Sequence, residues 1–325
     1  MIIPETIDDL QTRLQQLYYA EDFRGALDLA AAGKNRFPDH SFLLYYWQIT
    51  MAARLGDPTQ AILLLHEVIQ SGGWYAETLL RRSPSLKSLQ GDEEFEALVL
   101  LNREQQERNQ EQIYPLLILR SEGQCQSSKS PCPLLLALHA NASTAQASIP
   151  FWRPAASAGW LVAVPQSSQP MWKDAYIWDD RDFAMQEITR HFSALSKKYF
   201  IDPTRVVLAG HSMGGEMAVW LALSAALPAR GFMAIGPAGP FLDALENWQP
   251  LIEASQGTGM RGYIAVGRED NTIPLNNIRK IVGQLNKAGI ACQLEEIPDV
   301  GHQYSVEYEA SLLRGLKYIL RSSDE

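Results

Sequence analysis

Cysteine is scarce in this chain, with 3 in 325 residues. There is no Cys-x-x-Cys, no His-Glu-x-x-His and no set of carboxylates at ligand spacing, which argues against a metal site and against a small disulfide-stapled fold. Long apolar runs are missing too, and the start Met1-Ile2-Ile3-Pro4-Glu5-Thr6 has no basic segment leading into an apolar one. No membrane span and no secretory leader are therefore expected, and a cytoplasmic location is. Cys125 and Cys132 lie close together in a Ser/Gln-rich loop and would bridge if oxidised; two free loop thiols are the simpler reading in a reducing compartment. Positive charge is in deficit: 28 Lys and Arg against 37 Asp and Glu give a net charge of −9. No basic stripe interleaves with aromatics, so nucleic acid is not an expected partner. A phosphate-cradling loop is also absent, and no cofactor is expected.

What is present is ordinary globular composition, 46% hydrophobic and 20% charged, over a length that suits two units. Residues 1 to about 110 carry helical periodicity and almost no strand signal. Within them Glu21-Asp22-Phe23-Arg24-Gly25-Ala26, followed by Ala30, Gly33 and Pro38, aligns with Gly56-Asp57-Pro58-Thr59-Gln60-Ala61, followed by Leu65, Val68 and Gly73. The offset is 61 − 26 = 35 residues. Small residues at Ala26 and Ala61 let paired helices approach closely, and Pro38 and Gly73 close each unit. The pattern resembles the tetratricopeptide repeat, on Ala26, Ala30 and Pro38 especially, with a plain helical bundle as the alternative. Pro84 to Leu98 resembles the closing unit of such arrays. From Asn102 to Gln112 the chain is nearly all polar, which predicts a solvated connector helix. The expected division is a helical domain with connector over 1–112 and a second domain over 113–325.

The second part holds the run Arg205-Val206-Val207-Leu208-Ala209-Gly210-His211-Ser212-Met213-Gly214-Gly215, followed by helix-forming residues Glu216 to Leu223. It predicts a buried strand, a sharp turn and a helix, with Ser212 lifted clear of the backbone at the turn. A serine hydroxyl is a weak nucleophile and needs a base, and the base needs an acid to hold its tautomer. Asp270 follows the strand-like Arg261 to Gly267, and Thr272-Ile273-Pro274 comes after it; His302 follows the strand-like Cys292 to Ile297. In an open parallel sheet the carboxyl ends of the strands share one edge, so the three side chains converge there. Glu269 is the rival acid. His211, beside the nucleophile, is a second candidate base, disfavoured because neighbouring side chains on a turn point apart. His40, His66 and His191 fall in helical contexts.

In the order serine, acid, histidine, this chain resembles the α/β-hydrolase family over about residues 113 to 322, closest to its phospholipase/carboxylesterase and dienelactone-hydrolase-like branches. The resemblance implies a doubly wound, mostly parallel α/β sheet, here preceded by the smaller all-α helical-repeat domain. It implies an oxyanion hole made by the N–H groups of Met213 and Asn141, the latter after the strand Pro133 to His139. The family's His-Gly at that strand end is His139-Ala140 here, and a Cβ resists the positive φ that glycine takes in such loops.

Trp172, Tyr176 and Trp178, with Ser167 and Gln169, are expected on the active-site edge, either lining a substrate pocket or sealing the loop. A single helix over Phe241 to Ile252 leaves no room for a large lid. The resemblance thus implies a serine esterase acting on a small-molecule carboxylic ester or thioester through an acyl-enzyme on Ser212. Peptidase or acyltransferase chemistry on the same triad is the enzymatic alternative. A catalytically silent scaffold is the other, with a protein partner or self-association through the helical repeats.

Overall fold

The computed structural model describes residues 3–109, 114–121, 123–273 and 275–321. Gln112, where the sequence places the boundary, the last residues of the connector, and Pro274 lie outside them. The chain divides into two compact units, residues 1–112 with Pro170–Ala175, and residues 113–169 with 176–325.

The first unit contains α1 (Ile7–Tyr19), α2 (Phe23–Arg36), α3 (Ser41–Arg54), α4 (Pro58–Gln70), α5 (Glu77–Arg82) and α6 (Glu93–Asn109). Its 35-residue period is physical. Asp22 accepts the Gly25 N–H and Asp57 the Gln60 N–H, each at 2.9 Å, so both side chains cap the helix that follows. A further 92 − 57 = 35 residues on, Asp92 accepts the Phe95 N–H at 3.0 Å ahead of α6. Each aspartate follows a left-handed residue: Glu21 at φ 58°, Gly56 at 74° and Gly91 at 85°. The buried face repeats as well. Ala26, Leu27, Leu29, Ala30 and Gly33 of α2 match Ala61, Ile62, Leu64, Leu65 and Val68 of α4 position by position.

The third turn keeps the cap but not the face, because α6 buries Phe95, Leu98, Val99 and Asn102 instead. Asn102 corrects the expectation of a solvated polar run. It is fully buried, its Oδ1 accepting the Tyr75 N–H at 2.8 Å and its Nδ2 donating to the Tyr75 carbonyl at 2.7 Å. An amide can serve a backbone donor and acceptor at once, which makes its burial tolerable. Within the same unit Trp172 stacks on Tyr46 at 6.5 Å and meets Tyr75 edge-on at 6.2 Å. The Ala76 N–H donates to the Met171 carbonyl at 2.6 Å.

After residue 113 the elements run β1 (Leu116–Leu119), β2 (Cys132–Leu138), α7 (Ala145–Ser157), β3 (Leu161–Pro165), β4 (Gln169–Trp172), β5 (Ala175–Ile177), α8 (Arg181–Lys198), β6 (Ile201–His211), α9 (Met213–Leu223), β7 (Gly231–Ile235), α10 (Pro240–Asp243), α11 (Gln249–Ala254), β8 (Arg261–Gly267), α12 (Leu275–Lys287), β9 (Ala291–Ile297) and α13 (Tyr308–Ile319). Seven strands form one sheet in the order β1-β3-β2-β6-β7-β8-β9. β1 is antiparallel to β3, and every other neighbouring pair is parallel. Parallel neighbours need crossovers, which the helices supply. Alternation along the strands feeds two cores. Leu136, Leu208, Phe232, Ile264 and Val266 face α8, α9 and α12, whereas Leu135, Val207, Met233, Tyr263 and Ala265 face α7 and α13.

Two expectations are corrected here. Cys125 and Cys132 form a disulfide rather than two free thiols. The Phe200 N–H donates to the Cys125 carbonyl at 3.0 Å and the Cys132 N–H to the Phe200 carbonyl at 2.9 Å, so one residue of the neighbouring chain segment gathers both cysteines. The stretch Phe241 to Ile252 is α10, a 3-10 turn over Leu245–Trp248, and α11, not one helix. The run is interrupted at Ala244, at φ −112° and ψ 77°, and Trp248 and Ile252 beyond it are drawn into the core. Among the described residues no helix is long and apolar enough to cross a membrane.

Candidate active site

Ser212 sits between β6 and α9 at φ 55°, ψ −125°, backbone torsions that a residue with a Cβ adopts only when its surroundings enforce them. The enforcement is visible. The Ser212 N–H donates to the Ile235 carbonyl at 3.0 Å, and its own carbonyl accepts from Glu216 at 3.0 Å and Ala238 at 3.1 Å. The flanking glycines are steric requirements: a Cβ on Gly210 would lie 2.2 Å from the Gly214 carbonyl, and one on Gly214 would lie 2.4 Å from the His139 carbonyl oxygen. Only Gly-x-Ser-x-Gly closes this turn against the end of β2.

Three strand ends bring their side chains together at the C-terminal edge of the sheet. The Ser212 hydroxyl lies 2.9 Å from His302 Nε2, and His302 Nδ1 lies 2.8 Å from Asp270 Oδ2. A carboxylate only accepts, so Nδ1 carries the hydrogen and Nε2 is left to accept from the serine. The other oxygen of Asp270 accepts the Thr272 N–H at 2.9 Å, and the carboxylate is almost wholly buried. Glu269 is exposed. Its backbone N–H donates to the Val300 carbonyl at 3.0 Å.

Beside Ser212 opens a cavity of about 270 Å³, lined by Asn141, Met213, Ala238, Pro240, Leu242 and Ile273 among others, with no charged side chain among the described residues of its wall. Both residues expected to supply oxyanion donors, Met213 and Asn141, thus border the same space as the hydroxyl. Ala140 is not at positive φ; Ala142 is, at 52°. The loop takes its left-handed step two residues later than the family pattern implies, where a small side chain still tolerates it.

None of the three aromatics expected to line a pocket borders this cavity. Trp172 is held by Tyr46 and Tyr75 as described. Tyr176 pairs its N–H with the Ser143 carbonyl at 3.1 Å and meets Tyr114 edge-on at 6.1 Å. Trp178 is buried, its Nε1 donating to the His139 carbonyl at 2.9 Å. Ser167 and Gln169 are likewise occupied, Ser167 donating to the Ile177 carbonyl at 2.5 Å and Gln169 bonding both backbone groups of Asp180. Trp178, Ser167 and Gln169 brace the loop by satisfying backbone groups of His139, Ile177 and Asp180. Among the described residues no group of three or more His, Cys, Asp or Glu is placed to hold a metal ion.

Residues 134–319, more than half of the chain and the span that holds Ser212, Asp270 and His302, match the phospholipase/carboxylesterase family. The chain belongs to the phospholipase/carboxylesterase family. It is a hydrolase on the α/β-hydrolase fold, and residues 7–110 match the A/B hydrolase-like N-terminal domain. No curated protein matches the chain. Among solved structures, an uncharacterized protein from Bacillus cereus ATCC 10987 is similar over 97% of this chain and 98% of its own, at 23% identity and a TM-score of 0.55. The esterase PE8 is similar over 63% of this chain and 99% of its own, at 16% identity and a TM-score of 0.51. At those identities both likenesses concern the fold.

In this phospholipase/carboxylesterase-family hydrolase, sequence reasoning missed the hydrogen-bond network at His139, two residues before Asn141. His139 is fully buried. Its Nδ1 bonds the Ala140 carbonyl at 2.8 Å, and its Nε2 accepts from the Ser167 N–H and from Gln166 Nε2, each at 3.2 Å. Gln166 Oε1 in turn accepts the Ala145 N–H at 2.9 Å, at the start of α7. A carbonyl at one nitrogen and an N–H at the other leave only the neutral Nδ1–H tautomer, and burial lowers the pKa to about 4. The signal was the His-x-Asn stretch at a strand end. The partner, Gln166, lies 27 residues away, beyond any local pattern.

Proposed function

We propose that this hydrolase cleaves small carboxylic esters with uncharged acyl groups through an acyl-enzyme on Ser212. The observation that carries the reading is the continuous chain from Ser212 Oγ to His302 Nε2, 2.9 Å, and from His302 Nδ1 to Asp270, 2.8 Å. This chain meets the geometric requirement for base-assisted attack.

In this reading Ser212 Oγ bonds to the ester carbonyl carbon as its proton passes to His302 Nε2, and the carbonyl π pair moves to oxygen. The N–H groups of Met213 and Asn141 receive that oxyanion, each worth about 3 kcal/mol in the transition state. Collapse breaks the bond to the alkoxy group, which leaves as the alcohol with the proton from His302. Water then repeats the sequence on the acyl-enzyme, releasing the acid and restoring the serine. Asp270 keeps Nδ1 protonated and stabilises the imidazolium throughout.

The substrate class follows from the cavity. Its volume, about 270 Å³, is at the small end for ligand pockets, which run from about 300 Å³ upward. Its wall of Met213, Ala238, Pro240, Leu242 and Ile273 favours a short apolar acyl chain, and its described residues offer no charge to pair with an ionic one.

The test uses purified protein. Ser212→Ala should abolish hydrolysis of p-nitrophenyl acetate and labelling by a fluorophosphonate, and p-nitrophenyl butyrate should be turned over far faster than the palmitate ester. Undiminished turnover by Ser212→Ala would overturn the assignment.

A further inference from the structure

His302 sits in a loop whose backbone is tied at Val300, which accepts the Glu269 N–H at 3.0 Å, and at Ser305, which accepts the Tyr308 N–H at 3.1 Å. Between those ties the loop is held by rings. His211, the last residue of β6, places its imidazole 5.3 Å from that of His302, with the planes 30° apart. The same ring lies 4.4 Å from Tyr304, at 33°. Tyr304 is stacked on Phe151 of α7 at 3.7 Å and 11°, and Tyr308 and Trp152 meet it edge-on at 4.6 Å and 6.5 Å. A continuous series of ring contacts thus runs from His302 through His211 and Tyr304 to a helix on one face of the sheet.

His211 is unsuited to be a base itself. Its hydroxyl neighbour is already bonded to His302, and its Nε2 is shielded from solvent with no hydrogen-bond partner among the described residues. Burial, with the neighbouring His302 adding to it, brings its pKa down to about 3. It therefore stays a neutral flat surface whenever His302 becomes an imidazolium, and adds no repulsion to that state.

We propose that His211 is a positioning residue whose flat ring, backed by Tyr304 and Phe151, sets the direction of His302 Nε2 toward Ser212. The proposal rests on the reading of His302 as the base. What it requires of position 211 is a flat ring of this size and not its nitrogens, which separates it from an acid-base role.

The experiment measures the rate of fluorophosphonate labelling of Ser212, and kcat and KM for p-nitrophenyl acetate, in the full chain. His211→Ala should slow labelling and kcat by about tenfold or more with KM changed by less than about twofold, since small misplacements of a reacting group cost rate rather than binding. His211→Phe should recover most of that loss. Tyr304→Leu should fall in the same way, and Tyr304→Phe should stay near wild type. Folded His211→Ala labelled at the wild-type rate, or His211→Phe as slow as His211→Ala, overturns the proposal. Should His211→Ala fail to fold by thermal melting, the Tyr304 pair decides: equal rates for Leu and Phe refute it, and a slow Leu variant rescued by Phe supports it. Wild-type protein that takes no label removes the function reading first, and this proposal with it.

Discussion

A Cβ on Gly267 would lie 2.0 Å from the carbonyl oxygen of Val300. The end of β8 and the loop that carries His302 therefore touch backbone to backbone. Asp270 stands three residues beyond one partner of this contact and His302 two beyond the other, so the 2.8 Å separation of carboxylate and imidazole is set by main chain, not by flexible side chains.

Replacing Gly267 by alanine should push these segments apart. Forced atoms in a packed site cost about 1–3 kcal/mol, and ester hydrolysis should fall by about tenfold or more as the acid and base separate. Gly283→Ala is the control, since a Cβ there meets nothing within 4 Å in α12; it should leave activity alone and stabilise by about 0.5–1 kcal/mol through helix propensity. Thermal melting and kcat report both effects, and Gly267→Ala with wild-type values of each would contradict the contact.

The two candidate acids make opposite predictions. Asp270→Asn replaces an acceptor by a group that can donate, which permits the wrong imidazole tautomer, and kcat should drop on the order of 10³–10⁴-fold. Glu269 is exposed, and Glu269→Gln should stay within about twofold of wild type. A reversed ranking in steady-state kinetics would transfer the role to Glu269.

His139 predicts a pH dependence of stability. Its folded pKa is held near 4 by burial, against about 6.5 in an unfolded chain. The unfolded state therefore binds more protons between those values, and stability falls as pH drops from about 6.5 to 4, by about 3 kcal/mol from this group. Above pH 7 the contribution is complete and flat. Urea midpoints at pH 7 and pH 4.5 should differ less in His139→Gln than in wild type; equal differences in the two proteins would refute the neutral, bonded imidazole.

Some of this was written locally in the chain. Asp22, Asp57 and the small residues at 26 and 61 mark helices whose caps and buried faces need only near neighbours, so the 35-residue period could be read directly. The same holds for Gly210-x-Ser212-x-Gly214, whose glycines answer clashes inside one turn. The order of Ser212, Asp270 and His302 after three strand-like runs was legible because parallel strands end at one edge. Reading failed where a partner came from far along the chain. Asn102 looks like part of a solvated run until Tyr75 takes both ends of its amide. Trp178 reads equally as pocket wall or loop seal until the His139 carbonyl claims its Nε1.

By itself, then, the sequence determined the period of the helical unit, the strand-turn-helix at Ser212 and the alternation that builds a two-faced sheet, since all three follow from steric and apolar patterns within a few residues. Tertiary structure alone decided that Cys125 meets Cys132 beside Phe200, that His211 rests against His302 and Tyr304, and that a small cavity opens at Asn141 and Met213. Those outcomes depend on which distant segments share space, and short-range chemistry carries no term for that.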